Sequence, residues 1–235
     1  MLIASISDIH GNMPDIMDGV DILTISGDLS PATKQYGGES AQLRYFYDVL
    51  APAFSESAKE VVFIAGNHDL FLERIMERGN EKHFRDRLPR NVHYLRDSGV
   101  EINGLKFWGT PWTPQFFNWS FMGEDDAAGI GKHFEKIPSG VDYLLSHGPA
   151  SGHNDLILDP TRINGHKLGS AELLKHVKRA SPSVLLVGHI HTGSHEYSNI
   201  SNKDPDNPKN TLSINVSILD EGYRPHYMAL YNTEE

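Results

Sequence analysis

Five short polar clusters, each closing an apolar run, carry residues able to hold divalent cations: Asp8 and His10; Asp28; Asn67 and His68; His147; and His189 and His191. Carboxylates, imidazoles and one carboxamide supply oxygen and nitrogen ligands. The chain has no cysteine, which rules out disulfides and thiolate sites and leaves a donor set suited to Mn, Fe, Zn or Mg. Two such cations about 3.5–4 Å apart can clamp the attacking and leaving oxygens of an in-line displacement at phosphorus, and their bound water becomes a usable nucleophile near neutral pH. A shared carboxylate is the natural bridge between them. A glycine accompanies every cluster (Gly11, Gly27, Gly66, Gly148 and Gly188), as tight strand-to-loop bends with close backbone approach require.

The elements that must position these residues are legible in the pattern. Residues 2–6, 22–25, 61–64, 143–145 and 184–187 are near-continuous apolar runs, the signature of strands buried on both faces. The clusters fall just past their carboxyl ends, where open α/β sheets bind ligands. Helical patterns cover residues 39–50, 69–78, 125–134 and 170–180. Short strands are expected within 92–108, and strands without intervening helices at 193–197, 211–216 and 225–230, with a hairpin loop over 198–210. His189 and His191 alternate along a stretch that, if extended, puts both rings on one face. Asn67 suits a left-handed turn, and Asp69 suits a helix start. The fold class is α/β with mixed sheets, in one domain spanning 1–235.

The bulk numbers narrow the function classes. With 235 residues, 39% of them hydrophobic, the chain fills one α/β domain. A net charge of -10 argues against a duplex nucleic-acid binder, which needs basic residues to displace counterions, and fits a protein that concentrates carboxylates around cations. The N-terminus lacks a basic region ahead of its short apolar run, and no apolar stretch approaches the ~20 residues of a membrane span. The expected location is the cytoplasm, and the expected partner is a small phosphate ester.

In their order and spacing, Ser7-Asp8-Ile9-His10-Gly11, Gly27-Asp28, Gly66-Asn67-His68-Asp69, Ser146-His147-Gly148 and Gly188-His189-Ile190-His191 resemble the signature of calcineurin-like metallophosphoesterases. The resemblance covers almost the whole chain. It implies a four-layer αββα sandwich and two divalent metal ions, Mn2+ first among the candidates, with Fe, Zn or Mg as the others. It assigns Asp8, His10 and His191 to the first metal, Asn67, His147 and His189 to the second, and Asp28 to the bridge. His68 matches the motif histidine that protonates the leaving oxygen without binding metal, with Asp69 or Asp8 as the carboxylate that would help it hold a proton.

A narrower resemblance lies in Gly109-Thr110-Pro111-Trp112, in Phe116, Phe117 and Trp119, in Gly148-Pro149 and in residues 169–174. These are similar to the metallophosphoesterase-domain-containing (MPPED) branch, which is associated with phosphodiesterase activity, including on cyclic nucleotides. Asp69 stands where that branch tends to have Glu. Trp112, Phe116, Trp119 and Arg162 are the candidate substrate contacts, and His153, Asp155 and His166 share the loop after His147 with Arg162. Asp28 is followed by Leu29-Ser30, without the arginine that superfamily protein phosphatases place there for a dianionic monoester, which tilts the expectation toward diesters. The alternatives are a phosphomonoesterase, a nuclease, or a scaffold that has kept the fold without activity. The last would show eroded ligand positions, and here every ligand position holds a competent residue.

Overall fold

The computed structural model describes residues 1–31, 38–157, 165–202, 209–220, 222–226 and 228–233. The chain opens with β1 (Leu2–Ile6) and β2 (Ile22–Ile25). Helix α1 (Glu39–Tyr45) runs through a π-helical turn (Phe46–Leu50) into α2 (Ala51–Ser57), followed by β3 (Glu60–Phe63), α3 (Leu70–Glu77), α4 (Glu81–Asp86) and β4 (Val92–Tyr94). The hairpin β5 (Ser98–Ile102) and β6 (Leu105–Thr110) leads to the two-residue strands β7 (Thr113–Pro114) and β8 (Met122–Gly123). Then come α5 (Gly131–Phe134), β9 (Tyr143–Ser146), α6 (Ala171–Ala180) and β10 (Val184–Val187). A 3-10 turn (His191–Gly193) precedes β11 (Tyr197–Ile200), β12 (Thr211–Asn215) and β13 (Leu230–Thr233).

One sheet has the order β13-β1-β2-β3-β4, parallel except for β13, which pairs antiparallel with β1. The other has the order β11-β12-β10-β9-β6-β5, parallel at its centre with antiparallel edges. Three apolar layers hold the stack together. Ile3, Ile22, Val62 and Ile64 of the first sheet meet Phe107, Tyr143, Leu145 and Leu186 of the second. Phe46, Phe54, Phe71 and Phe84 from the helices cover the outer face of the first sheet. Phe134, Leu173 and Val177 cover the outer face of the second. The result is the expected αββα sandwich, with the central strands buried on both faces as their unbroken apolar runs require. Among the described residues, no helix is long and apolar enough to cross a membrane.

Several boundaries differ from the sequence reading. The helix expected over 39–50 continues to Ser57. Pro52, in the first turn of α2, lacks the N–H that would continue the α-helical ladder, and the π-helical turn lies immediately before it. Of the helix expected over 125–134 only Gly131–Phe134 forms, because Asp125 accepts hydrogen bonds from the Ser170 hydroxyl and the Ala171 N–H (2.7 Å) at the start of α6. The strand expected at 193–197 begins at Tyr197, and the one expected at 225–230 begins at Leu230. Residues 198–200, where the pattern suggests a loop, belong to β11.

Candidate metal centre

The loops after β1, β2, β3, β9 and β10 are tied to one another. Asp8 N–H donates to the Gly27 carbonyl (3.0 Å), His10 N–H to that of Asp28 (2.9 Å), and Gly188 N–H to that of His147 (2.9 Å). Ser7 bridges Ser217, so the carboxyl ends of the two sheets also meet here. The backbone is bent sharply to achieve this. Asp8, His10, Asp28 and His189 have φ of 54°, 41°, 53° and 68°, a left-handed region that costs non-glycine residues about 1 kcal/mol or more each. Glycine is required where loops touch: a Cβ on Gly188 would lie 2.3 Å from Asp8 Oδ2, and one on Gly66 would lie 2.2 Å from Asp28 Oδ1. His189 and His191 therefore do not alternate along a strand. One is left-handed and the other opens a 3-10 turn. Asn67 is not among the residues with positive φ, so the left-handed turn expected of it falls instead on the aspartates and histidines around it.

Two groups of side chains converge. In the first, His191 Nε2 is 3.4 Å from Asp8 Oδ1 and His10 Nε2 is 3.4 Å from Asp28 Oδ2. Each imidazole is oriented from behind: His10 Nδ1–H donates to the Ser30 carbonyl (3.3 Å) and His191 Nδ1–H to that of Asp220 (3.0 Å), which turns the other ring nitrogen inward. In the second, His147 Nε2 and His189 Nδ1 crowd the same oxygen, Asn67 Oδ1, at 2.9 and 2.8 Å. Asp28 Oδ1 lies 3.5 Å from His147 Nε2, while its Oδ2 faces His10, so one carboxylate addresses both groups. Potential ligand atoms of Asp8, His10 and His191, and those of Asp8, Asp28 and His147, lie within 4.8 Å of one another.

This donor set fits divalent cations. His10 Nε2, an imidazole nitrogen able to coordinate, is buried with no hydrogen-bond partner, an arrangement that is costly unless a ligand completes it. Burial lowers the pKa of His10 to about 4 and that of His189 to about 3, leaving both rings neutral and able to coordinate. Burial opposes ionisation of Asp8, but the hydrogen bond and charge of His191 outweigh it and hold the carboxyl below the usual range. Burial likewise opposes charge on Asp28, and His147 and His68 reverse it. His147 is raised to about 9: Asp28 overcomes the burial that would neutralise it, so without a metal this imidazolium supplies the charge that balances the carboxylates.

His68 stands beside the first group. Its backbone N–H donates to Asp28 Oδ1 (2.8 Å), its ring lies 4.9 Å from that of His10, and its Nε2 is 4.0 Å from Asp28 Oδ2. The carboxylate facing it is Asp28, in place of the Asp69 or Asp8 expected from sequence.

A calcineurin-like phosphoesterase family model matches residues 1–193, more than half of the chain. The chain belongs to the calcineurin-like phosphoesterase family. Family membership supports reading it as a metal-dependent phosphoesterase. It is 28% identical to the human (Homo sapiens) metallophosphoesterase domain-containing protein 1 over 231 residues, 94% of this chain and 67% of that one. A Caenorhabditis elegans protein, UPF0046 protein C25E10.12, is 32% identical over 78% of this chain and 64% of its own length. UPF0046 protein T07D4.2 of the same organism is 41% identical over 45% of this chain, a stretch spanning 26% of that relative. Among solved structures, TT1561 of Thermus thermophilus shares the fold with a TM-score of 0.53 at 12% identity, covering 99% of this chain and 98% of its own.

The remaining sequence-derived candidates divide. Trp119 packs against His68 with ring centroids 4.9 Å apart, and Phe116 packs against Trp119 at 5.9 Å. Trp112 is turned elsewhere: its Nε1–H donates to Asp97 Oδ2 (3.2 Å) and its ring stacks on His133 at 3.9 Å. His153 pairs with Ser198 of β11, and Asp155 accepts the Gly152 N–H. Arg162 lies outside the described residues. Two contributors are not legible in the sequence. Tyr223, after the last motif, places its ring 4.8 Å from His10 and 5.5 Å from His191. Ser217 donates to Asp8 Oδ2 at 2.6 Å. Neither sits in a recognisable motif; only their place beyond β12 would have pointed to them.

Proposed function

We propose that this phosphoesterase is a phosphodiesterase acting on small nucleotide-like substrates, cyclic nucleotides among them, through one unit spanning residues 1–235. Asp8, His10 and His191 hold one divalent metal, Mn2+ first among the candidates, and Asn67, His147 and His189 hold the other. Asp28 lies between them. The observation that carries this reading is the Asp28 carboxylate, which turns one oxygen to each group and has His68 beside it.

When bound, the two cations would offset the phosphate charge and supply an activated water for in-line attack. The chain's own residues do the rest. Asp28 fixes the His68 backbone through its N–H, and Gln42 Nε2 holds the His68 carbonyl (2.9 Å), so the imidazole is aimed before substrate arrives. As the ester P–O bond breaks, His68 gives its proton to the departing alcohol oxygen, which leaves as the neutral alcohol. Trp119 packs on the flank of His68 and holds its ring in place. The diester preference is supported by Leu29, whose side chain is fully buried at the position after Asp28 and offers no cation to a second phosphate charge.

The test is metal-stripped protein reloaded separately with Mn2+, Fe2+, Zn2+ and Mg2+ and assayed on bis(4-nitrophenyl) phosphate, 4-nitrophenyl phosphate and a cyclic nucleotide. Diester turnover should exceed monoester turnover. A faster monoester in every reloaded form would overturn the diester reading.

A further inference from the structure

A small cavity of about 130 Å³ opens beside His189 and is walled by Pro114, Gln115, Phe116, Lys167 and Leu168. It lies on the side of the centre where His189 meets Asn67 and His147. His68 does not line it; its ring is against His10 and Trp119, across Asp28. A linear phosphodiester has two separate arms. In a cyclic nucleotide both ester oxygens belong to one pentose, so the two-arm division applies to linear substrates. The arm that leaves must place its oxygen within hydrogen-bond reach of the acid, which puts it beside His68 and Trp119. The arm that stays on phosphorus needs a different place.

We infer that this cavity is the subsite for the retained arm, and that its occupant is a single hydroxylated ring such as a pentose. The inference rests on the diesterase reading above. Size sets the scale: a cavity of roughly 150 Å³ is what one benzene ring fills, so the enclosed volume suits a single ring. Chemistry sets the kind of ring. Phe116, Pro114 and Leu168 offer apolar walls to its faces, while Lys167 offers donors and Gln115 its Oε1 as an acceptor to hydroxyls at its edge, the Gln115 Nε2 being held by the Phe117 carbonyl. The Asp125 carboxylate, also on the wall, is engaged with Ser170 and Ala171 at the start of α6, which fixes the floor and leaves recognition to the other residues. Phe116 packs on Trp119, so the 116–119 segment serves both arms, with Phe116 toward the retained one and Trp119 toward the leaving one.

The product of hydrolysis keeps the retained arm, so the subsite can be read by binding alone. Metal-loaded protein is titrated calorimetrically with ribose 5-phosphate and with methyl phosphate, which carry the same charge and differ only in the arm. Ribose 5-phosphate should bind about tenfold tighter, the scale of one pocket contact, and Phe116→Ala combined with Lys167→Ala should erase the difference while leaving methyl phosphate binding within about threefold. Equal binding of the two phosphates by the native protein, or an advantage that survives in the double variant, overturns the subsite. A kinetic counterpart uses bis(4-nitrophenyl) phosphate and methyl 4-nitrophenyl phosphate, which share a leaving group. Phe116→Ala should lower kcat/KM more for the first than for the second, since any loosening of Trp119 affects both alike, and equal losses on both overturn the assignment. The monoester-to-diester ratio fails or holds separately, so failure of the diesterase reading is distinguishable from failure of the subsite.

Discussion

Both carboxylate oxygens of Asp69 accept the backbone N–H of Leu29, each at 3.1 Å, although the two residues are forty positions apart. The same carboxylate takes the N–H groups of Ser30 (2.9 Å) and Gly66 (2.8 Å). Asp69 suits a helix start by its sequence, and it does precede α3, but its side chain makes no cap bond there. It clamps the loop carrying Asp28 to the loop carrying Asn67. Burial and the neighbouring Asp28 push its pKa up to about 6, against the pull of the Gly66 and Leu29 amides. Asp69→Ala strands three buried donors and should destabilise the protein by about 3–5 kcal/mol. Thermal denaturation should show a fall of roughly 10 °C. A variant as stable as the native protein would remove the clamp from this account.

Asp28 turns one oxygen to each ligand group, so its loss should affect both. Asp28→Ala should reduce metal content at both positions, by more than the roughly 10–100-fold that losing a ligand's hydrogen-bond partner costs. Ser217→Ala, which removes the 2.6 Å bond to Asp8 Oδ2, supplies that smaller comparison. Elemental analysis after dialysis against a chelator decides the matter, and full metal content in the Asp28 variant would rule out a bridging role.

His68 lies next to the centre and is separable from it. His68→Ala should keep native metal content and lower kcat by roughly 10²–10⁴-fold, the range for removing a general acid. The loss should shrink for a substrate with an acidic leaving group, because 4-nitrophenolate departs without a proton. Metal loss in this variant would mean that His68 is a ligand.

The buried strands of an α/β fold and the five clusters were legible because both rest on local signals: unbroken apolar runs for strands buried on both faces, and polar residues with glycine where those runs stop. The four-layer sandwich followed only from the family resemblance that those clusters carry. What the sequence hid depends on partners far along the chain. Asp125 reads as the start of a helix until Ser170 is seen to use it. Trp112 reads as a substrate wall until Asp97 and His133 are seen to engage it. Tyr223 sits in no motif, and only the Asp220 carbonyl bonded to His191 reveals why the turn that carries it lies against the centre.

That turn has a test of its own. The Asp220 carboxylate accepts the Gly222 and Arg224 N–H groups at 2.8 and 3.0 Å, folding the loop that brings Tyr223 edge-on to His10 and His191. Edge-on ring contacts contribute about 0.5–1.5 kcal/mol each. Tyr223→Ala should therefore weaken metal retention about tenfold by loosening two ligand rings, while Tyr223→Phe keeps the ring and stays near native. Equal losses in both variants would assign the effect to the hydroxyl instead.

The last prediction concerns pH and a group remote from the metals. Asp97 accepts bonds from Thr110 (3.1 Å), Trp112 (3.2 Å) and His133, with Lys136 3.6 Å away. Burial opposes its ionisation, but the hydrogen bond and charge of His133 prevail and lower its pKa. A carboxyl lowered on folding contributes stability that is fully present above its unfolded pKa of about 3.9 and is lost as pH falls through the folded value. Asp97→Asn tests this cleanly, because Asn also tolerates the left-handed backbone at φ 45° and removes chiefly the charge. Denaturant titrations at neutral pH should show the variant about 1–3 kcal/mol less stable. The gap should begin to close below about pH 4, where the unfolded carboxyl takes up its proton, and vanish once the folded one has followed. Stability curves that stay parallel down to the acid limit would show that Asp97 holds the Trp112–His133 stack by shape and not by charge.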